Sequence, residues 1–181
     1  ARTARMLLRD WRDEDLEPFA LMNADERIAR FLPSALDHRE SDAMVDRIKA
    51  HFERFGFGLW AVERTDLSHR PFIGFIGLSV PRFEAHFTPC VEIGWRLAPE
   101  HWGIGLATEG AKRVARRGFV ELLLDEILSF TMPENLASRR VMEKIGMRRD
   151  PADDFEHPAL PLGHRCRRHV LYRLRRGFEN G

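Results

Sequence analysis

The stretch CVEIGWRLAPEHWGIGLATEGAKRV, residues 90–114, places two hydrophobic periodicities next to each other. Its first eight residues alternate, which predicts a β-strand with Val91, Ile93, Trp95 and Leu97 on one face and Cys90, Glu92, Gly94 and Arg96 on the other. From Leu106 to Val120 the apolar residues recur every three to four positions, which predicts an amphipathic helix. A strand therefore passes through a glycine-containing turn, PEHWGIG, into a helix.

The two glycines of this turn, Gly103 and Gly105, suit the binding of an anion. Glycine has no Cβ, so backbone N–H groups can close on a phosphate, and the first turn of the following helix adds a partial positive charge. A P-loop requires a lysine after the last glycine, and a dinucleotide fingerprint requires glycine or alanine where Thr108 stands. The glycines alone are equally compatible with a tight structural connection in which Trp102 fills the core.

With this strand and helix included, the whole chain predicts six strands and four helices in the order β-α-α-β-β-β-α-β-α-β. This order indicates a mixed α/β fold with an antiparallel meander, not a doubly wound sheet. One predicted helix has Ser41 as its N-cap and ends at Gly56, and another has Asn135 as its N-cap and ends at Gly146. Residues 150–165 contain three prolines and predict an irregular loop that lines a site.

Composition restricts the class of protein further. The chain has 181 residues, and 29 Lys and Arg balance 28 Asp and Glu, so no electrostatic field argues for a nucleic-acid partner. No apolar run is long enough to span a bilayer, and we expect no membrane partner. The two cysteines have no ligand or disulfide spacing, which fits a reducing cytoplasm. We expect one domain over residues 1–181, as a monomer or homodimer.

Two blocks of the sequence together resemble a known family. VEIGWRLAPEHWGIGLATEGAKRV and SFTMPENLASRRVMEKIGM are similar to the two conserved blocks of the GNAT N-acetyltransferases, in particular the ribosomal-protein N-terminal acetyltransferases RimJ and RimL. The resemblance extends from ARMLLRDW to HVLYRL. It implies a GNAT-like α/β (mixed α+β) fold, in which a single, mostly antiparallel sheet flanked by helices is splayed at an acyl-CoA site.

The resemblance also implies which residues bind acetyl-CoA, the cosubstrate. Main-chain groups of Trp95, Arg96 and Leu97 are expected to bind the pantetheine arm, with the Asn135 side chain beside it. The pyrophosphate is expected on the backbone N–H groups of His101, Trp102, Gly103, Ile104, Gly105, Leu106, Ala107 and Thr108. One position departs from the family pattern, because Glu100 stands where Gln or Arg is usual. Nearby cations for the remaining phosphate charge are Lys112, Arg113, Arg139 and Arg140.

Amide formation from a thioester requires a neutral amine, stabilisation of the oxyanion and a proton for the thiolate. The resemblance implies a catalytic glutamate on this strand, so we expect Glu92 to act as the base, although a strand carboxylate paired with Arg96 or a neighbouring arginine is the structural alternative. Ser138 is the expected proton donor, with water as its rival. Many GNAT enzymes have a tyrosine one turn after this position, but here Met142 occupies it, and Tyr172 is the chain's only tyrosine.

Two histidines in the 150–165 stretch, His157 and His164, lie near acidic residues, but their spacing in a proline-rich loop does not favour a metal site. We expect this stretch to form a substrate-facing lid, opposite a wall that the family implies at Asn23, Glu26 and Phe31. The predicted activity is acetyl transfer from acetyl-CoA to a primary amine, either a protein N-terminus or a small amine, by direct attack in a ternary complex. The alternatives are a non-catalytic acyl-CoA sensor and, more distantly, a dinucleotide-dependent oxidoreductase.

Overall fold

A computed structural model describes residues 1–177, and the last four residues of the predicted domain lie outside that range. Within it the strands are β1 Met6–Arg9, β2 Leu59–Arg64, β3 Phe72–Ser79, β4 Glu92–Leu97, β5 Glu126–Thr131, β6 Arg148–Arg149, β7 Phe155–Glu156 and β8 Arg168–Arg175. The helices are α1 Leu16–Ala24, α2 Glu26–Ala29, α3 His38–Phe55, α4 Leu106–Val120 and α5 Leu136–Lys144. The predicted order is recovered, with the first predicted helix split into two and two short strands added.

The strands form one sheet in the order β1-β2-β3-β4-β5-β8-β6, and β7 also pairs with β8. Every pairing is antiparallel except that between β4 and β5, which is parallel and has a single register pair, Glu92 opposite Leu128. By contrast, β3 and β4 are paired along the whole length of β4. The predicted fold class, a mixed and mostly antiparallel sheet flanked by helices, is confirmed.

Hydrophobic packing covers both faces of the sheet. On one face, α4 and α5 pack on a core that includes Ile76 and Ile93. On the other face, α1 and α3 pack on a second core that includes Phe19, Val45 and Phe75. Because side chains alternate along β4, Ile93, Trp95 and Leu97 belong to the α4 side, and Glu92, Gly94 and Arg96 face the α1–α3 side.

The helix over residues 38–55 begins earlier than the sequence predicted. Asp37 is its N-cap and accepts a hydrogen bond from the Glu40 backbone, while the Glu40 side chain accepts one from the Asp37 backbone. The predicted cap, Ser41, is instead fully buried and its Oγ accepts a 2.8 Å hydrogen bond from Asn23 Nδ2. The predicted end is correct, because Gly56 takes the left-handed conformation that favours glycine.

Residues 150–165 are more ordered than the sequence predicted. A 3-10 turn spans Pro151–Asp153, and β7 then adds to β8. Phe155 holds the segment against the rest of the domain, because its ring packs among those of Phe83, Phe87 and Phe130. Within residues 1–177, no helix is long and apolar enough to cross a membrane.

Candidate active site

The divergence of β4 and β5 creates the principal cleft. Leu128 N–H donates to Val91 O at 2.9 Å, and Ser129 Oγ donates to Ile93 O at 2.9 Å. Beyond these two bonds the strands separate, and a cavity of about 750 Å³ opens between them. This volume lies within the range of ordinary small-molecule sites.

The free edge of β4 faces this cleft. Ala98 N–H donates to Ile73 O, so the antiparallel alternation directs the main-chain groups of Arg96 to β3 and those of Trp95 to the cleft. Leu97 also faces the cleft, but its carbonyl accepts a 2.6 Å bond from Trp102 Nε1. The expected main-chain role of Arg96 therefore does not fit, because its N–H and C=O belong to the β3 ladder.

After β4 the chain makes a 3-10 turn, Pro99–His101, which uses two of the expected anion donors. His101 N–H donates to Ala98 O at 2.9 Å, and Trp102 N–H donates to Pro99 O at 3.1 Å. These two N–H groups are therefore occupied, which corrects the sequence-based expectation for His101 and Trp102. Both side chains still line the cleft.

The remaining turn is shaped as an anion site. Gly103 has φ +77° and Gly105 has φ +85°, conformations that glycine adopts readily and other residues rarely do. In the described chain, the N–H groups of six consecutive residues have no acceptor: Gly103, Ile104, Gly105, Leu106, Ala107 and Thr108. Gly105 is the N-cap of α4 and offers no side chain, so the helix N-terminus remains open to a ligand.

Arg5 supports this turn and was not anticipated from the sequence. Its Nη1 donates to Ile104 O at 3.0 Å, and its Nε donates to Glu109 Oε2 at 2.8 Å. Arg5 is 104 positions away from Glu109, so only the pairing of β1 into the sheet reveals the contact. Glu100, the unusual residue of the turn, forms a 2.8 Å ion pair with Arg27 Nη2. This pair connects the turn to α2.

Glu92 lines the cleft at the point where the strands diverge. Burial raises the pKa of its carboxyl to about 8, and a hydrogen bond with Ser79, its register partner on β3, opposes that rise. No ion pair joins Glu92 to Arg96 among the described residues, so the structural alternative for Glu92 is not realised. A half-buried carboxyl with this pKa is suited to exchanging protons near neutral pH.

Ser138 and Asn135 lie at the start of α5 and also line the cleft. Asn135 Oδ1 caps the helix by accepting from Ser138 N–H at 3.2 Å, and its Nδ2 donates to Thr131 Oγ1. Tyr172 lies elsewhere, because its hydroxyl donates to Glu143 and accepts from Arg139 in the protein interior. Ser138 is thus the hydroxyl of α5 that faces the cleft.

Comparison with known proteins identifies the family. The acetyltransferase (GNAT) domain family matches residues 5–148. The chain belongs to the GNAT acetyltransferase family. It is 29% identical to the uncharacterized N-acetyltransferase YnaD of Bacillus subtilis over 164 residues, which cover 90% of this chain and 88% of YnaD.

Solved structures of GNAT proteins share this fold. An acetyltransferase of the GNAT family from Bacillus anthracis superimposes with a TM-score of 0.77 at 26% identity over 96% of both chains. Mycobacterium smegmatis RimJ, in complex with CoA-disulfide, has a TM-score of 0.75 at 17% identity over 94% of this chain and 82% of RimJ. Membership of the GNAT family supports acetyl transfer from acetyl-CoA to an amine.

The cations available to a GNAT cofactor differ from those expected. Of the four predicted, only Arg140 lines the cleft, together with Lys144, which the sequence did not single out. Arg139 is held by Tyr172 Oη and by Pro133 O. Lys112 and Arg113 lie further along α4 and do not line the cleft.

The segment 150–165 does not line this GNAT cleft, in contrast to the expected lid. Arg165 instead donates to the carbonyls of Arg30 and Leu32, and so supports the loop after α2 from behind. Of the wall implied by the family, Phe31 lines the cleft and Glu26 does not. His157 packs on Phe83, and residues 1–177 contain no group of three potential metal-ligating side chains.

Proposed function

We propose that this GNAT protein transfers the acetyl group of acetyl-CoA to a primary amine by direct attack within a ternary complex. The observation that carries the proposal is that one cleft joins three features: the free edge of β4, the unoccupied N–H groups before α4 and the Glu92 carboxyl. These features are suited, respectively, to an extended amide-containing chain, a pyrophosphate and an amine.

For the cofactor, the pantetheine arm adds to β4 like a further strand and bonds to the main chain of Trp95. The pyrophosphate is bound by the N–H groups of residues 103–108, and Arg5 holds that turn through Ile104 O. Arg140 and Lys144 contribute positive charge at the cleft. In this arrangement Asn135 mainly orients α5, because both ends of its amide already have partners.

For the chemistry, Glu92 accepts a proton from the acceptor ammonium, and the neutral amine attacks the thioester carbonyl carbon. The tetrahedral intermediate collapses, the C–S bond breaks and an N–C bond remains. The departing thiolate takes a proton from a water molecule, either directly or relayed through the Ser138 hydroxyl, which regains a proton from that water as it gives its own. The extra proton on the new amide nitrogen leaves to solvent, which balances the proton taken up by the thiolate. Within the described part of the chain neither cysteine lines the cleft, which favours direct attack over an acyl-enzyme formed on a thiol.

The acceptor is a primary amine, either a protein N-terminus or a small molecule. An α-amino group titrates at about 7.7–8.0 and a lysine side chain at about 10.4, so an α-amine matches a base with a pKa near 8 more closely. The sequence resemblance to the RimJ and RimL branch favours an α-amine as well. Activity against peptides with free and blocked N-termini tests this assignment.

The primary test is release of free coenzyme A thiol from acetyl-CoA in the presence of peptides and small amines. Glu92→Gln and Ser138→Ala are the informative variants, and Tyr172→Phe is a matched control because Tyr172 lies outside the cleft. We expect loss of rate in the first, a smaller loss in the second and little change in the third. Tight binding of acetyl-CoA without thiol release for any amine would instead identify an acyl-CoA sensor.

A further inference from the structure

Two oppositely charged side chains, Glu92 and Arg96, line the same cleft from the same face of β4, yet they do not pair. Gly94 lies between them and leaves that part of the face open. Both groups are desolvated: burial raises the pKa of Glu92 to about 8 and lowers that of Arg96 to about 10. The protein therefore keeps apart a carboxyl that is largely protonated at pH 7 and a guanidinium, in a cleft that disfavours the charged form of each.

Arg96 has no carboxylate partner within the described part of the chain. Its Nη1 donates to Asn23 Oδ1 at 2.7 Å, with Met44 Sδ at 3.7 Å, and its guanidinium lies 5.3 Å from the Phe75 ring centroid. All three partners are uncharged. Its Nε and Nη2 have no protein acceptor, but neither atom is sealed from solvent, so both remain available in the cleft.

We propose that the acceptor of this enzyme is an amine that also carries a carboxylate, which the Arg96 guanidinium binds while the amine lies at Glu92. The inference rests on the proposed function and adds the substrate class. A guanidinium offers a fork of N–H donors that fits a carboxylate in a bidentate manner. The carboxylate of such an acceptor would give the Arg96 guanidinium the counter-charge that the protein withholds, and its amine would lie at the proton acceptor Glu92.

The spacing of the two groups sets the length of the acceptor. The Cα atoms of residues four apart on an extended strand are separated by roughly 13 Å. For side chains that project in parallel from one face, the charged ends are separated by a similar distance, and a hydrogen bond of about 3 Å at each end leaves roughly 7 Å between the amine nitrogen and the carboxylate. We therefore expect an acceptor whose amine and carboxylate are separated by about five carbon atoms of chain or, for the α-amine favoured above, by an equivalent peptide span.

Other roles for Arg96 fit the structure less well. Its side chain points to the α1–α3 side of the sheet, whereas the open N–H groups before α4 lie beyond the end of β4. It is therefore separated from the proposed phosphate position. Arg30 also lines the cleft, but it is exposed and its guanidinium lies over the Phe31 ring, so water solvates it without a ligand.

The test compares three acceptors of equal length in the thiol-release assay. These are 6-aminohexanoate, its uncharged analogue 6-aminohexanamide, and 1,6-diaminohexane, which is cationic at the far end. We expect kcat/KM for 6-aminohexanoate to exceed that for the amide by on the order of tenfold to a hundredfold, the range of a hydrogen bond between charged groups. The diamine should be the poorest, and 3-aminopropanoate should lose the advantage because it is too short.

The variants assign this preference to a residue. Arg96→Met has nearly the same shape without the charge and should abolish the preference for 6-aminohexanoate while retaining turnover of the amide. Arg96→Lys should keep part of the preference and guards against misfolding of the Met variant. In the control Arg30→Gln, the ratio of the two kcat/KM values should remain.

Equal use of 6-aminohexanoate and its amide by the wild-type enzyme would overturn the inference, as would a preference that survives Arg96→Met. An equal loss of rate for both acceptors in Arg96→Met would also overturn it, because Arg96 would then act on the acetyl group. If no amine releases thiol, the proposed function fails. The inference is then decided by calorimetric binding of 6-aminohexanoate against its amide in the presence of coenzyme A.

Discussion

Replacement of Glu92 by glutamine tests the proposed base directly, because the amide keeps the shape and removes the proton acceptor. Burial raises the pKa of Glu92 from 4.5 to about 8. At pH 7 roughly one enzyme molecule in ten therefore has the ionised carboxylate, and at pH 9 roughly nine in ten do. When kcat/KM is expressed per neutral amine, it should rise about tenfold over this interval, because kcat/KM reports the free enzyme.

The assay is thiol release at saturating acetyl-CoA. At each pH, kcat/KM is calculated from the concentration of the neutral form of the acceptor amine, so that the titration of the acceptor does not contribute to the profile. Glu92→Gln should lower kcat/KM by about 10²–10⁴-fold at high pH, the usual range for a general base. It should also remove the rise with pH, since no other cleft carboxyl on β4 can replace it. Acetyl-CoA affinity should change little, because Glu92 lies on the acceptor side of the strand.

Ser79→Ala provides a second, finer test at the same site. The Ser79 hydrogen bond favours the ionised form of Glu92, so its removal should move the rise in kcat/KM to higher pH. A hydrogen bond to a charged group contributes about 1.5–3 kcal/mol, which corresponds to a shift of roughly one to two pH units. The maximal rate at high pH should be retained, because the base itself remains.

Two results would refute this reasoning. One is a Glu92→Gln enzyme whose kcat/KM still rises between pH 7 and pH 9 after correction for the amine. The other is a Ser79→Ala enzyme whose profile moves to lower pH or does not move. Either would indicate that a water chain or another group, and not the Glu92 carboxyl, accepts the proton.

Three further substitutions test other parts of the site. Arg96→Met should change the free energy of unfolding by less than about 2 kcal/mol in urea denaturation at pH 7. Removal of a desolvated cation favours the folded state, but the buried Asn23 Oδ1 loses its donor; a larger loss of stability would contradict this. Gly105→Ala should cost about 1 kcal/mol of stability because of its φ of +85°, and should weaken coenzyme A binding in calorimetry. Arg5→Gln should raise KM for acetyl-CoA several-fold with kcat nearly unchanged, because the turn loses the hydrogen bond from Arg5 Nη1 to Ile104 O. An unchanged KM would show that Arg5 does not hold the turn in its binding conformation.

Much of the fold follows from local sequence patterns. The alternation of β4, the helical spacing of α4 and the stop at Gly56 are all properties of neighbouring residues, and the structure has each of them. The errors involve competition between local and distant contacts. Ser41 is a good N-cap residue, but a buried partner, Asn23, makes a hydrogen bond with it, and Asp37 caps the helix in its place.

The candidate site likewise has features that the local sequence predicts and features that depend on distant contacts. The glycine turn was predictable from neighbouring residues. Glycine is the residue that most readily adopts a positive φ, and a glycine at the N-cap leaves the start of α4 without a side-chain cap. The bracing by Arg5 was not, because it depends on β1 reaching the turn across the sheet. The failed expectation for His101 has a local cause that the sequence could have indicated: a proline at the first position of a 3-10 turn commits the next N–H groups to that turn.

The two sides of the cleft differ in the groups that they offer to a charged ligand. On the cofactor side, neutral backbone N–H groups face the proposed pyrophosphate. Glu100 can occupy a position where a cation is usual because its carboxylate is exposed and pairs with Arg27, a guanidinium that it shares with Asp25. On the acceptor side, partial burial makes the charged forms of Glu92 and Arg96 costly, which raises the pKa of the first and lowers that of the second. Such a cost is tolerated where a ligand offsets it, so the substrate specificity of this enzyme is expected to reside on the α1–α3 face of β4.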